Sequence, residues 1–195
     1  STLDITMVTK VPTCRVVFED YTATWCQYCP RATAIMEYLT KKHPNDFIGI
    51  AVHQGDPMSI GGYKSPVVGR IGLPYVWSSR TEKVGGNTGE ESYQKVKARG
   101  AVMDIDVKAQ WDASGKAIKV QSTTTFRTNL PNANYALAYV VIEDGVHNAS
   151  WGQANDFNGE TGLLAENQEF GPFVKEDRVV YGLKYNHVAR TSLGI

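Results

Sequence analysis

Apolar positions in the first half of the chain follow two rhythms. Runs of strand length, "CRVVFEDY" (Cys14–Tyr21) and "FIGIAVH" (Phe47–His53), are β-branched and aromatic, as buried strands are. Between them, "CPRATAIMEYLTKKH" places Ala34, Ile35, Tyr38 and Leu39 on one helical stripe. Lys41, Lys42 and His43 fill its last turn and Pro44 follows. A long loop rich in Gly and Pro comes next. "LPYVWSS" then predicts a third strand, broken at "KVGGN". "TGEESYQKVKARG" predicts a helix with Thr88 and Glu91 as a capping box and Gly100 at its end.

After Gly100 the helical rhythm stops. "VMDIDVKAQWD", "AIKVQSTTTFRT", "YALAYVVIED" and "RVVYGLKY" are strand-like, and "ASGK" and "LPNAN" supply turns between the first three. The pattern predicts a boundary near Gly100. An α/β domain over residues 1–100 would precede an antiparallel, immunoglobulin-like β-sandwich over residues 101–195. The final "NHVARTSLGI" ends abruptly after another strand-like run, which reads as a second domain incomplete at its C-terminus. With 195 residues, 42% of them apolar, the chain can fill one large core or two small ones.

Charge narrows the classes of partner. Lys and Arg number 20, Asp and Glu number 20, and no long run has a single sign. Nucleic acid is therefore not expected, because phosphate binding needs a concentrated basic face. The longest apolar stretches, "FIGIAV" and "YALAYVVI", are too short to span a bilayer. The chain opens at Ser1 without Met, which reads as a mature or trimmed form that has lost a targeting segment. Three cysteines are too few for a disulfide scaffold.

The candidate chemistry lies in "VVFEDYTATWCQYCPRA" (Val16–Ala32). A Cys-x-x-Cys between a strand and a helix puts its first sulfur at the helix N-terminus, where unpaired N–H groups and the helix dipole favour a thiolate. Cys26 is then the attacking sulfur, and Cys29, one turn on, resolves the mixed disulfide. Trp25 and Tyr28 would flank the reactive sulfur with apolar surface. Asp20, on the strand leading in, is placed to exchange a proton with Cys29 if burial raises its pKa. Alternation lets only one of Asp20 and its neighbour Glu19 point that way. The helix between the first two strands makes them parallel, so His53 ends on the same sheet edge as the cysteines and could tune their pKa.

Each of these residues also has a plainer reading. The cysteine pair could be a structural disulfide. A zinc site would need Cys14, but strand geometry of ~3.3 Å per residue separates it from the motif by about 20 Å. Cys14 then reads as a buried thiol packing as a small hydrophobe. His53 could be an ordinary hydrogen-bonding residue. Arg70 and Arg80 flank the Pro74 loop, where solvated surface charge is the plain reading. Trp111 and Trp151 fit as core or rim aromatics of the sandwich. Asn155–Gly162 is rich in oxygen ligands but lacks calcium-loop spacing.

"ATWCQYCPRA" together with "GLPY" resembles the thioredoxin superfamily over roughly the first hundred residues. The fuller run, with "IAVHQGDPM", "GLPYVWSSR" and the terminal "NHVAR", resembles the outer-membrane-protein-28-related family of Bacteroides-type bacteria. That family joins a thioredoxin-like domain to a β-sandwich in envelope lipoproteins. The resemblance implies a thiol–disulfide oxidoreductase or disulfide-isomerase-like enzyme with Cys26 and Cys29 as its redox pair. It implies Asp20 as the proton relay and Pro74 as a cis-proline. A cis bond would turn the Leu73 backbone outward so that an extended substrate adds as a strand, with Tyr75 beside it in the groove. It further implies disulfide- or thiol-bearing protein substrates, a separate redox partner, and no cofactor or metal. The location implied is the periplasm or outer membrane, through a lipid anchor on the precursor. This chain departs from thioredoxin in having Gln27 and Tyr28 between the cysteines, where thioredoxin has Gly-Pro, and Pro30 after them. A different class of function, a surface binding or adhesion module on a thioredoxin-like scaffold, is the alternative.

Overall fold

The first strand, β1 (Val16–Thr22), is buried at all but one position, and its two faces have different jobs. Helix α1 (Pro30–Lys42) follows, and β2 (Phe47–His53) lies parallel to β1 from Val16↔Phe47 to Thr22↔His53. The computed structural model describes residues 10–63, 72–85, 89–127, 129, 131–160 and 171–195; Arg70 and the capping-box Thr88 lie outside them. β3 (Tyr75–Ser78) runs antiparallel to β1, β4 (Glu82–Val84) antiparallel to β3, and α2 (Gly89–Lys97) follows. α1 begins where Pro30 occupies its first turn, a place where a missing N–H costs nothing. It ends at His43, whose ring stacks on Tyr93 of α2 at 3.9 Å and whose Nε2 lies 2.9 Å from Glu90 Oε2.

The chain divides into two compact units. Ser1–Cys14 groups with Ala98–Tyr135, and Arg15–Lys97 groups with Ala136–Ile195. One break falls between Lys97 and Ala98, and after Tyr135 the chain returns to the unit that holds Arg15–Lys97. The expected division into 1–100 and 101–195 is therefore not the one observed.

The smaller unit holds a hairpin of β5 (Met103–Trp111) and β6 (Ile118–Phe126), in register from Met103↔Phe126 to Trp111↔Ile118. Asp112 Oδ1 accepts the amides of Lys116 and Ala117 at the turn, and Gly115 takes the left-handed φ of 67° that the turn requires. Cross-strand pairing puts Ile105, Val107, Trp111, Ile118, Val120 and Phe126 on one face, and all six are exposed. Among the described residues these two strands form a sheet of their own, and the expected β-sandwich is not confirmed.

The larger unit takes up the later strands. β7 (Tyr139–Glu143), β8 (Val146–His147), β9 (Gly152–Ala154), β10 (Val179–Tyr181), β11 (Lys184–Tyr185) and β12 (Val188–Leu193) all belong to it. The central sheet has six strands in the order β4-β3-β1-β2-β12-β7. Its fold is thus mixed α/β, with strands from both ends of the chain in one sheet. Period-2 alternation marks β7 and β12 as strands but carries no information on which sheet they join. Gly49 makes the join to β2 feasible: a Cβ there would come within 2.9 Å of His187 Cγ. His187, in the left-handed region at φ 61°, gives its carbonyl to the Ala51 amide at 2.7 Å and places Nε2 3.1 Å from Thr40 Oγ1.

One face of the sheet carries Val16, Phe18, Phe47, Ala51 and Val76 against Ala32, Ile35, Met36 and Leu39 of α1 and Tyr93 and Val96 of α2. The other carries Tyr21, Ile50, Val52 and Ala189 with half-buried Val17, Ile48, Tyr75 and Trp77. Trp151, expected in a sandwich, instead joins Met58, Tyr185 and Val188 in the larger unit, while Trp111 is exposed. Among the described residues no helix is long and apolar enough to cross a membrane.

Candidate functional site

Cys26 and Cys29 are joined by a disulfide, with S–S 2.06 Å and Cα atoms 5.3 Å apart. They sit where β1 gives way to α1, as the strand–helix spacing predicts. The expected placement of Cys26 at the helix terminus shifts by a turn: Cys29 is the N-cap, and Cys26 lies in the turns before it. Those turns are closed by the Cys26 amide donating to the Ala23 carbonyl at 3.1 Å and the Cys29 amide to the Cys26 carbonyl at 3.2 Å. Cys29 has no exposed surface and Cys26 keeps 5%. Ala23 and Leu73 pack on the pair.

Leu73 precedes a cis Leu73–Pro74 bond. It belongs both to the disulfide cluster and to the cluster on the sheet's far face, so it bridges the two. Trp25 and Tyr28 flank the pair and are 60% and 50% exposed. Trp25 is nevertheless held, its Nε1 donating to the Gln54 carbonyl at 3.0 Å, and Tyr28 meets Phe157 edge-on. Tyr75 does not join them. Register pairs it with Tyr21 on the face opposite α1, where it packs beside Trp77 under Lys83 Nζ.

The two acids on β1 separate. Asp20 pairs in register with Ala51 and Val76, both on the helix face, so its side chain lies beneath α1. It is 1% exposed, and neither oxygen has a hydrogen-bond partner among the described residues. Burial pushes its carboxyl from 3.8 up to about 8; the nearby Thr22 side chain and the Arg31 charge pull back only in part. Glu19 faces the other way. It accepts both Arg80 Nε and Nη2 at 2.7 Å and the Tyr63 hydroxyl at 2.5 Å. Burial and this bond to Glu19 push the Tyr63 hydroxyl well above its ordinary range, and the same carboxylate raises Arg80 further.

His53 is 4% exposed, and its Nδ1 lies 2.7 Å from Asp56 Oδ2. That oxygen also accepts the Thr24 amide at 2.9 Å, which links His53 to the loop just before Cys26. Burial would raise the Asp56 carboxyl, but His53 and the Thr24 and Met58 amides together hold it below its ordinary value. Sequence reading missed Asp56 as a site residue, although the Asp-Pro-x-Ser run around it is a turn signal.

A second omission lies far along the chain. Segment 152–156 runs beside the cysteine loop. The Ala154 amide donates to the Thr24 carbonyl at 2.8 Å and the Asp156 amide to the Gln27 carbonyl at 3.0 Å. Buried Gln153 donates Nε2 to the Cys26 carbonyl at 3.1 Å and the Ala23 carbonyl at 3.4 Å. No local sequence signal announces such a contact. Cys14 is half-buried rather than buried, and it belongs to the other unit.

Comparison with protein-family models and with curated protein sequences finds no match. Among solved structures, HBP35 of Porphyromonas gingivalis superimposes with a TM-score of 0.55 at 17% identity over 93% of this chain. The chain spans 57% of the length of that structure. Protein AGR_C_4864 from Agrobacterium tumefaciens superimposes with a TM-score of 0.48 at 15% identity, over 93% of this chain and 72% of its own. The likeness to HBP35, a protein of a Bacteroidetes bacterium, is one of fold.

Proposed function

We propose that this chain is a thiol–disulfide oxidoreductase of thioredoxin-like design, acting through Cys26 and Cys29 on extended protein segments. The observation that carries the reading is Asp20: a sealed carboxyl with no hydrogen-bond partner among the described residues, on the sheet face that α1 covers, with Cys29 at the N-cap of that helix. A structural disulfide has no use for so costly a group. The cis Leu73–Pro74 bond, with Leu73 packed on the disulfide, supports it further.

In the oxidising direction, a substrate thiolate attacks Cys26 Sγ, the Cys26–Cys29 bond breaks, and Cys29 leaves as a thiolate that takes a proton from neutral Asp20. The substrate's second thiolate then attacks its own sulfur in the mixed disulfide, and Cys26 departs. Two electrons pass from the substrate dithiol to the pair. In the reducing direction the Cys26 thiolate attacks, and the Asp20 carboxylate takes the Cys29 proton as Cys29 resolves the intermediate. The chemistry needs no cofactor or metal, only substrate proteins and a redox partner. The reading places the protein in a bacterial envelope, lipid-anchored in its precursor.

A Cys29→Ser variant tests it. Mixed disulfides on Cys26 that dithiothreitol releases are expected to accumulate with protein substrates. Their absence under oxidising and reducing conditions alike would favour the surface-binding module. That reading has its own observation in the exposed apolar face of the β5–β6 hairpin.

A further inference from the structure

We propose that Gln153 is a positioning residue for the redox pair, holding the Cys26 carbonyl so that the Cys26 thiolate is favoured. The proposal rests on the oxidoreductase reading and adds a control that lies outside the Cys-x-x-Cys segment. Every hydrogen bond named above between segment 152–156 and the cysteine loop has the same direction. Segment 152–156 donates, through the Gln153 carboxamide and the amides of Ala154 and Asp156. The loop accepts, through the carbonyls of Ala23, Thr24, Cys26 and Gln27. These carbonyl oxygens are the negative ends of the peptide dipoles around Cys26. Placing N–H groups on them offsets that negative potential, and a buried setting strengthens the effect. A thiolate at Cys26 is stabilised accordingly, and with it the reduced form of the pair.

Gln153 is the side chain through which this segment reaches the nucleophile's own peptide. Asn155, two residues on and equally buried, turns the other way, giving its Nδ2 to the carbonyls of Phe173 at 2.9 Å and Asp177 at 3.0 Å. It anchors the segment without touching the loop. The two residues therefore separate a positioning role from general support.

Gln153→Met keeps the length of the side chain and removes its donors. Two readouts follow the pair: the thiolate fraction of Cys26, from the pH dependence of iodoacetamide alkylation, and the equilibrium of the pair with dithiothreitol or glutathione. The thiolate fraction at neutral pH is expected to fall about tenfold, the size of one hydrogen bond. The dithiol form loses about tenfold in the equilibrium, which for two electrons is about 30 mV toward a more reducing pair. Asn155→Ala is expected to lower stability while leaving the thiolate fraction within about twofold. An unchanged Cys26 titration in Gln153→Met would overturn the proposal, as would an equal shift in Asn155→Ala. Should Gln153→Met not fold, Gln153→Glu keeps the shape. Its alkylation profile is expected to show a second inflection as the new carboxyl ionises, and a wild-type profile would overturn the proposal. If the oxidoreductase reading fails, Cys29→Ser traps no partner, yet the wild-type and Gln153→Met titrations still differ; if this inference fails, they coincide.

Discussion

Glu19 and Asp20 are neighbours on β1, both carboxylic acids and both almost sealed from water, yet the two faces of the sheet treat them oppositely. On the far face, Glu19 receives a two-pronged Arg80 and the Tyr63 hydroxyl. On the helix face, Asp20 has only apolar neighbours in register and no hydrogen-bond partner among the described residues. Burying a charge is tolerated when it is paired, so Glu19 is accounted for by structure alone. Asp20 is not, because a Leu or Val in its place would satisfy the same face at lower cost. On the proposed oxidoreductase reading, the contrast marks Asp20 as the acid kept for its proton.

Breaking the pair itself gives the largest effect. Cys26→Ser is expected to abolish disulfide exchange on a dithiol peptide, while Arg80→Ala, on the other face, leaves the rate within about twofold. A comparable loss in both would erase the distinction between the faces.

Asp20→Asn is expected to slow the step that releases or resolves Cys29 by about 10²-fold, with attack by Cys26 little changed. It also has a stability signature whose sign follows from the raised pKa. Between 3.8 and about 8 the native state binds a proton that the unfolded state has lost. Wild-type stability therefore falls as pH rises through that window. The Asn variant lacks this loss and is expected to be more stable than wild type at pH 9 by several kcal/mol, the gap closing toward pH 4. Denaturation curves that differ equally at both pH values would contradict the assignment.

Arg80→Ala leaves Glu19 buried with Tyr63 alone and is expected to cost about 2–3 kcal/mol in urea denaturation. A loss below about 0.5 kcal/mol would mean that the partnered acid is not held by its partners. The smallest effect concerns the loop anchor. Asp56→Asn removes a carboxylate shared by His53 and the Thr24 amide, at about 1–2 kcal/mol near neutral pH. Because the Asp56 carboxyl is held below 3.8, that contribution is present above this value and is lost as pH falls through the folded pKa. The variant and wild type should converge in acid.

The parts of this picture that were legible in the sequence are those written locally. The β1–α1–β2 unit follows from adjacent periodicities, the cysteine loop from its spacing, and Pro74 from the start of the third strand. Alternation alone says that Glu19 and Asp20 point apart, but not which one finds partners. That depends on Tyr63 and Arg80, brought in from elsewhere in the chain. The same limit explains β7 and β12, whose patterns are those of strands in any sheet: β12 docks beside β2 near Gly49 and His187, and β7 pairs with β12. Gln153 is the extreme case, since its contact with Cys26 spans 127 residues and leaves no periodic trace.

The measurement that bears most directly on the account is the Cys26–Cys29 reduction potential, from equilibration with glutathione buffers read by thiol alkylation. A working pair is expected between about −120 and −270 mV. A value below about −300 mV is that of a structural disulfide and would contradict the account.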